Sequence, residues 1–256
     1  MRRVSVLAYH AIGDCPPAHD PHGLWVSPAA FERQLTFLVE HRRVVPLDDV
    51  VAGRISSGRP AVAITFDDGY RSVLEDGLPL LERFGLPATM FVPTAFLGDR
   101  NRWDEATGRD LPIMDADELA GLPRRGMAVE SHGHAHLLLE HASPSEAEPD
   151  LAQSCVILQE LLGQPPRHLA YPFTTGSPGA REVARRLGFD AAFSIDRRDE
   201  GPFARGRVPV TPADGARVFA LKTSGWYLTL RHNPATVAAW PVAGRVARAV
   251  RRLLPG

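Results

Sequence analysis

The sequence predicts an α/β fold, a (β/α) barrel of seven or eight mostly parallel strands in a single domain. Three observations carry this expectation. Short apolar runs alternate with helical patterns along the chain, the rhythm of a parallel sheet with helices outside it. The runs are apolar throughout, as in strands buried on both faces. Seven or eight such units fit into 256 residues, close to the length of about 250 that a full barrel needs.

The elements follow in order. VSVLAY (4–9) reads as a buried strand. Ser27 and Pro28 read as an N-cap and first helical position, opening a helix with Phe31, Leu35 and Leu38 on one face. RVVPL (43–47) and AVAITF (61–66) are the next strands. Residues 71–84 read as helical, interrupted by Gly77 and Pro79 and ended by Gly85. ATMFV (88–92) is a strand, 115–122 a short helix, and MAVES (127–131) a fifth strand. HASPSEAEPD (141–150) reads as a polar, turn-rich connection, with a helix from 149 to 162 stopped by Gly163. HLAYP (168–172), a helix over 178–187 closed by Gly188, DAAFSI (190–195) and RVPV (207–210) complete the pattern.

The expected barrel covers residues 1–230, followed by a basic helical tail over 231–256. That tail carries five arginines and no acidic residue, with Val242, Val246, Val250, Leu253 and Leu254 at helical spacing. It reads either as a helix packed on the barrel or as a weak membrane-surface anchor.

Composition excludes several classes. With 29 basic and 30 acidic residues the formal net charge is −1, so no nucleic-acid partner is expected. Cys15 and Cys155 have no motif spacing, which argues against a disulfide framework or a cysteine-based zinc site. The N-terminal apolar run ends at Tyr9-His10, short of a signal peptide. The expected location is cytoplasmic, with a peripheral position at the inner face of the membrane if the tail acts as an anchor.

AITFDDGY runs a buried strand into two adjacent carboxylates, Asp67 and Asp68, and a glycine. An Asp-Gly turn uses the same residues, but two like charges side by side favour a bound cation. ESHGHAHLLL follows another strand, so its histidines also reach a C-terminal strand end, where barrel sites are built. If a helical turn begins there, His132 and His136 share a side and His134 points away, as a neighbour or structural residue. With one carboxylate they form a two-histidine, one-carboxylate set, suited to catalytic zinc and also to iron or cobalt.

TFDDGY followed about 60 residues later by SHGHAH resembles the NodB-homology polysaccharide deacetylases, a carbohydrate esterase family, over roughly residues 4 to 210. RHLAYPFTTGS (167–177) resembles the family's third motif more loosely. The resemblance implies a distorted (β/α) barrel of seven or eight strands and a metal-dependent hydrolase that removes acetyl groups from N-acetylated sugars or glycans. It implies Asp67 as catalytic base, and Asp68, His132 and His136 as ligands of one divalent metal, zinc first, with cobalt, nickel, manganese or iron as alternatives. Phe173 would supply an oxyanion N–H, with Tyr171 beside it at the substrate.

Two departures stand out. Where many members carry a base-orienting arginine in the third motif, this chain has Ala170; Arg207, in RVPV, is the candidate replacement. The family's late strand ending in an acid histidine is missing from its usual place, but VSVLAYH has that form at the N-terminus, as if permuted. His10 is therefore the expected acid and His232 its competitor. Alternative readings are an inactive carbohydrate-binding barrel of the same family and an amidase acting on a non-sugar amide. A glycosidase fits poorly, because adjacent carboxylates cannot flank a sugar ring.

Overall fold

The computed structural model describes residues 3–15, 20, 22–103 and 111–233. The basic tail, apart from its first three residues, lies outside them.

Seven parallel strands close into a ring. They are β1 (Val4–Tyr9), β5 (Ala61–Phe66), β6 (Ala88–Val92), β7 (Met127–Ser131), β8 (His168–Ala170), β9 (Ala191–Ile195) and β10 (Arg205–Pro209). β2 (Ala11–Ile12) and β3 (Trp25–Val26) form a separate pair, and β4 (Arg43–Val44) adds to the first half of β5. From β5 to β10 the strands stand in sequence order. β1 takes the seat between β10 and β5 and closes the ring. A strand appended after β10 would occupy that same seat.

Apolar residues from five strands meet one another inside the ring: Val6, Ala63, Phe91, Ala170, Ala191 and Phe193, with Leu47. The larger cluster lies outside it, between the strands and the helices, and includes Phe31, Leu35 and Leu38. These three come from α1 (Pro28–His41), whose Ser27 cap accepts from the Ala30 N–H at 3.3 Å, satisfying one of the donors a helix start leaves free.

Three elements differ from the sequence reading. Residues 43–47 hold only a two-residue strand before the short helix α2 (Leu47–Val51). Residues 71–84 form one helical stretch that widens to a π turn over Val73–Gly77 before α3 (Leu78–Phe84); the wide turn relieves the clash that the Pro79 ring brings to an α-helix. Helix α5 runs Pro144–Leu162, five residues longer than expected. Ser143 and Glu146 form a capping box with Pro144 in the first turn, and Pro149 lies inside the helix. Start signals in the apparent connection outranked the later proline. The remaining helices are α4 (Ala116–Gly121), α6 (Pro178–Arg186), α7 (Ala216–Lys222) and α8 (Tyr227–Arg231). No helix among the described residues is long and apolar enough to cross a membrane.

Candidate active site

A cleft of about 340 Å³ opens at the C-terminal ends of the strands, and His10, Asp67, Asp68, His132, His136 and Phe173 all line it. Parallel pairing explains the first two. Tyr9 and Phe66 are register partners, and the Asp67 N–H continues the ladder to the Tyr9 carbonyl at 3.0 Å. His10 and Asp67 therefore leave neighbouring strands at the same level.

Asp67 is buried and accepts two parallel bonds from Arg207, Nη1 to Oδ1 at 2.6 Å and Nη2 to Oδ2 at 2.7 Å. Arg207 is fully buried, reaches Thr65 Oγ1 at 3.1 Å, and lies 5.2 Å from the centre of the Phe91 ring. Burial alone would push the Asp67 carboxyl up, but the Arg207 guanidinium and His132 outweigh it and hold the pKa below its ordinary value. The fork geometry fixes the carboxylate plane as well as its charge.

Asp68 turns the other way. Its φ of +73° and that of Gly69, +71°, place two consecutive residues in the left-handed region. A Cβ on Gly69 would come within 2.8 Å of Val92, so the glycine of the motif serves both the turn and the packing. The turn brings Asp68 Oδ1 to 3.4 Å from His132 Nε2 and 3.2 Å from His136 Nε2. All three residues are buried, with ligand atoms mutually within 4.8 Å.

This cluster fits a divalent metal. The His132 Nδ1 lies 2.7 Å from the Ala170 carbonyl, which can only accept, so the proton sits on Nδ1 and the Nε2 lone pair faces Asp68. His132 Nε2 and His136 Nε2 thus both approach the same Asp68 oxygen, the arrangement a shared ion needs. For a tetrahedral ion with bonds of about 2.0–2.1 Å, neighbouring ligand atoms stand about 3.3 Å apart, matching the two observed separations. Asp48, Glu130 and His168 also approach one another, but the facing atoms already have partners: His168 Nε2 meets Asp48 Oδ1 at 2.7 Å, and Glu130 Oε2 accepts the backbone N–H groups of Arg167 and His168 at 2.7 and 2.8 Å.

The histidine pair does not stand on a helical turn, as the spacing argument supposed. Residues 132–136 are a loop, with φ of +75° at Gly133 and +53° at His136. His134 turns away, with Nδ1 2.9 Å from Thr94 Oγ1. Two residues that sequence reasoning missed complete the surroundings. Trp103 stacks on the His136 ring at 4.2 Å and 21°. Asp150 accepts the His134 and Ala135 N–H groups. Trp103 gave no periodic signal, and Asp150 sat where the polar connection (141–150) and the start of the expected helix (149–162) overlapped.

Phe173 has φ +64°, and its ring is half-exposed 4.7 Å from His136. Its N–H has no backbone partner among the described residues. Asp68, His136 and Phe173 are three of the four described non-glycine residues with positive φ, and strain of this kind collects where function over-determines the backbone. Tyr171 is a correction: it does not line the cleft. Its ring is buried in the cluster with Leu139, Leu151 and Val183, and its hydroxyl donates to the Phe203 carbonyl at 3.0 Å, because two residues along an extended chain the side chain returns to the outer face that Leu169 shares. His232 also lies outside the cleft, with Nε2 3.6 Å from Asp196 Oδ1.

The fold and the site define a (β/α) barrel hydrolase with a two-histidine, one-carboxylate centre at the C-terminal ends of its strands. The chain belongs to the polysaccharide deacetylase family, whose model matches residues 54–192. It is similar to YxkH of Bacillus subtilis, 23% identical over 225 residues that cover 85% of this chain and 75% of the relative. It is 25% identical over 189 residues to poly-β-1,6-N-acetyl-D-glucosamine N-deacetylase of Staphylococcus aureus, covering 69% of this chain and 63% of that protein's length. Two solved structures share the fold. The deacetylase PplD of Streptococcus pyogenes superposes with a TM-score of 0.73 at 22% identity, over 86% of this chain and 97% of the other. IcaB from Ammonifex degensii gives 0.72 at 24% identity, over 89% and 97%.

Proposed function

We propose that this chain is a metal-dependent hydrolase that removes acetyl groups from an N-acetylated glycan, and that the β-1,6-linked N-acetylglucosamine polymer of its Staphylococcus aureus relative is the first substrate to try. One observation carries the reading: an aspartate clamped by a buried arginine stands beside a convergent Asp68, His132 and His136 set. Zinc is the favoured ion for that set, with cobalt, nickel, manganese or iron as alternatives, and when bound it supplies a Lewis acid that lowers the pKa of a water and polarises the amide carbonyl.

The chain's own groups do the rest. Asp67, kept anionic and oriented by Arg207, takes the proton of the attacking water. The Phe173 N–H donates to the oxygen that gains charge. His10, which lines the same cleft from the end of the neighbouring strand, gives a proton to the leaving amine. The inactive-barrel reading drew its motive from the absent third-motif arginine, and the Arg207 clamp removes that motive.

Elemental analysis tests the metal centre without a substrate. About one divalent ion per chain is expected in the wild type, lost in His132→Ala and Asp68→Ala. Acetate release from N-acetylglucosamine oligomers then tests the activity. A loaded chain that releases acetate from no N-acetyl sugar points to a non-sugar amide, and a wild type that binds no metal after reconstitution defeats the reading. His10→Ala is expected to keep its metal and lose about 10²-fold or more in kcat; unchanged turnover would remove His10 from the mechanism. The proposed membrane-surface role of the tail falls on residues outside those described.

A further inference from the structure

Helix α5 carries an unusual core-facing stripe. Ala147, Asp150, Leu151, Ser154 and Leu158 are its buried residues, at helical spacing. Two of the five are polar, and both face the histidine loop. Ser154 Oγ lies 2.8 Å from Ser131 Oγ, which in turn accepts the Gly133 N–H at 3.1 Å. Asp150 spreads its carboxylate over two successive amides, Oδ2 to the His134 N–H at 3.0 Å and Oδ1 to the Ala135 N–H at 2.7 Å. On the other side of the loop, the N–H groups of Thr94 and Ala95 reach the Gly133 and His134 carbonyls at 3.2 and 2.9 Å. Across Gly133, His134 and Ala135, every backbone N–H and carbonyl except the Ala135 carbonyl is bonded to a partner among the described residues. Moving a loop so fully bonded would leave buried backbone groups unpaired.

Asp150 is the only charged group in this arrangement. It is 6% exposed, and among the described residues it bonds to the two amides. A buried carboxylate without a cation is costly unless hydrogen bonds offset the lost solvation, and here the two amides supply them. Paired amides of this kind form an anion-binding concavity. Gly133 completes the fit: a Cβ there would stand 2.6 Å from Asp150 Oδ2, so the carboxylate rests directly against the glycine backbone. The loop it grips is the one whose two ends are His132 and His136.

We propose that Asp150 is a positioning residue for the metal centre: by clamping the His134 and Ala135 amides it sets the separation and orientation of His132 and His136. It touches neither substrate nor metal and acts through the loop. The inference rests on the metal-centre reading above.

The test is titration of the full-length, metal-free chain with Co²⁺, followed by the visible spectrum and by competition with a chelator. Loss of a partner that orients ligands costs about 10–100-fold in metal affinity, and that loss is expected for Asp150→Ala, with an altered Co²⁺ spectrum. Asp150→Asn keeps one carbonyl oxygen but turns an NH₂ toward the second amide, so an intermediate affinity is expected. The Asn variant also provides the measurement if the Ala variant fails to fold. Wild-type affinity and spectrum in the variants would overturn the proposal, as would a lower melting temperature of the metal-free chain with metal affinity unchanged. A wild type that takes up no Co²⁺ would instead defeat the metal-centre reading itself, so the two failures are distinguishable.

Discussion

Asp67→Asn is expected to lower kcat for acetate release by about 10²–10⁴-fold, the range a positioned general base supplies, while the chain still binds one metal ion. The separation of roles is geometric. Asp67 directs both oxygens at Arg207, whereas Asp68 directs Oδ1 at the two histidines. Asn is nearly isosteric, so the ligand set stays intact. It cannot accept a proton from water at neutral pH, and its NH₂ would oppose one guanidinium nitrogen. The measurement is kcat on a folded, metal-loaded variant beside the wild type. Retained turnover would remove Asp67 as the base; loss of metal would mean that the two aspartates are coupled more tightly than their contacts indicate.

The second large effect falls on Arg207. Removing one partner of a buried ion pair leaves an uncompensated charge, at a cost of about 3–5 kcal/mol, so Arg207→Ala is expected to lower the urea midpoint strongly. Lysine retains the charge but offers a single point donor in place of the fork. Arg207→Lys is therefore expected to fold better than the alanine variant and still lose kcat. A pH profile separates positioning from stability. Burial raises the Asp67 pKa and Arg207 lowers it. Without the arginine the balance moves upward, and the acidic limb of kcat/KM shifts to higher pH. An unshifted limb in Arg207→Lys and Arg207→Ala, with turnover intact, would show that the clamp serves stability alone.

The position of Arg207 also accounts for Ala170. Ala170 is part of the small-residue lining inside the ring, with Ala63 and Ala191, and the Arg207 guanidinium lies over Phe91 in that same interior. A small side chain at the third motif and a large one on β10 together fill one interior and reach one carboxylate.

Most ring strands were legible because each is a local apolar run, and burial on both faces leaves that mark whatever the neighbours are; β10, with two arginines and a glycine in RGRVP, starts two residues before the stretch that the sequence marked. Asp67-Asp68-Gly69 and His132-x-x-x-His136 were legible for a related reason: each is contiguous and ends a strand, and a parallel barrel sends all such ends to one face. Helix α5 was misread at its start because two prolines competed and the cap lay before the earlier one. Tyr171 was misplaced because motif membership does not say which way a side chain faces.

The sequence by itself determined the class of fold, the strands that end in chemistry, and the residue types at those ends. These properties follow from periodicity and adjacency, which act over a few residues. Only the tertiary structure decided that His10 stands level with Asp67, that Arg207 clamps the base from 140 positions away, and that Asp150 holds the loop between the two histidines. Those choices depend on strand register and on the filling of a shared interior, and neither exists until the ring closes.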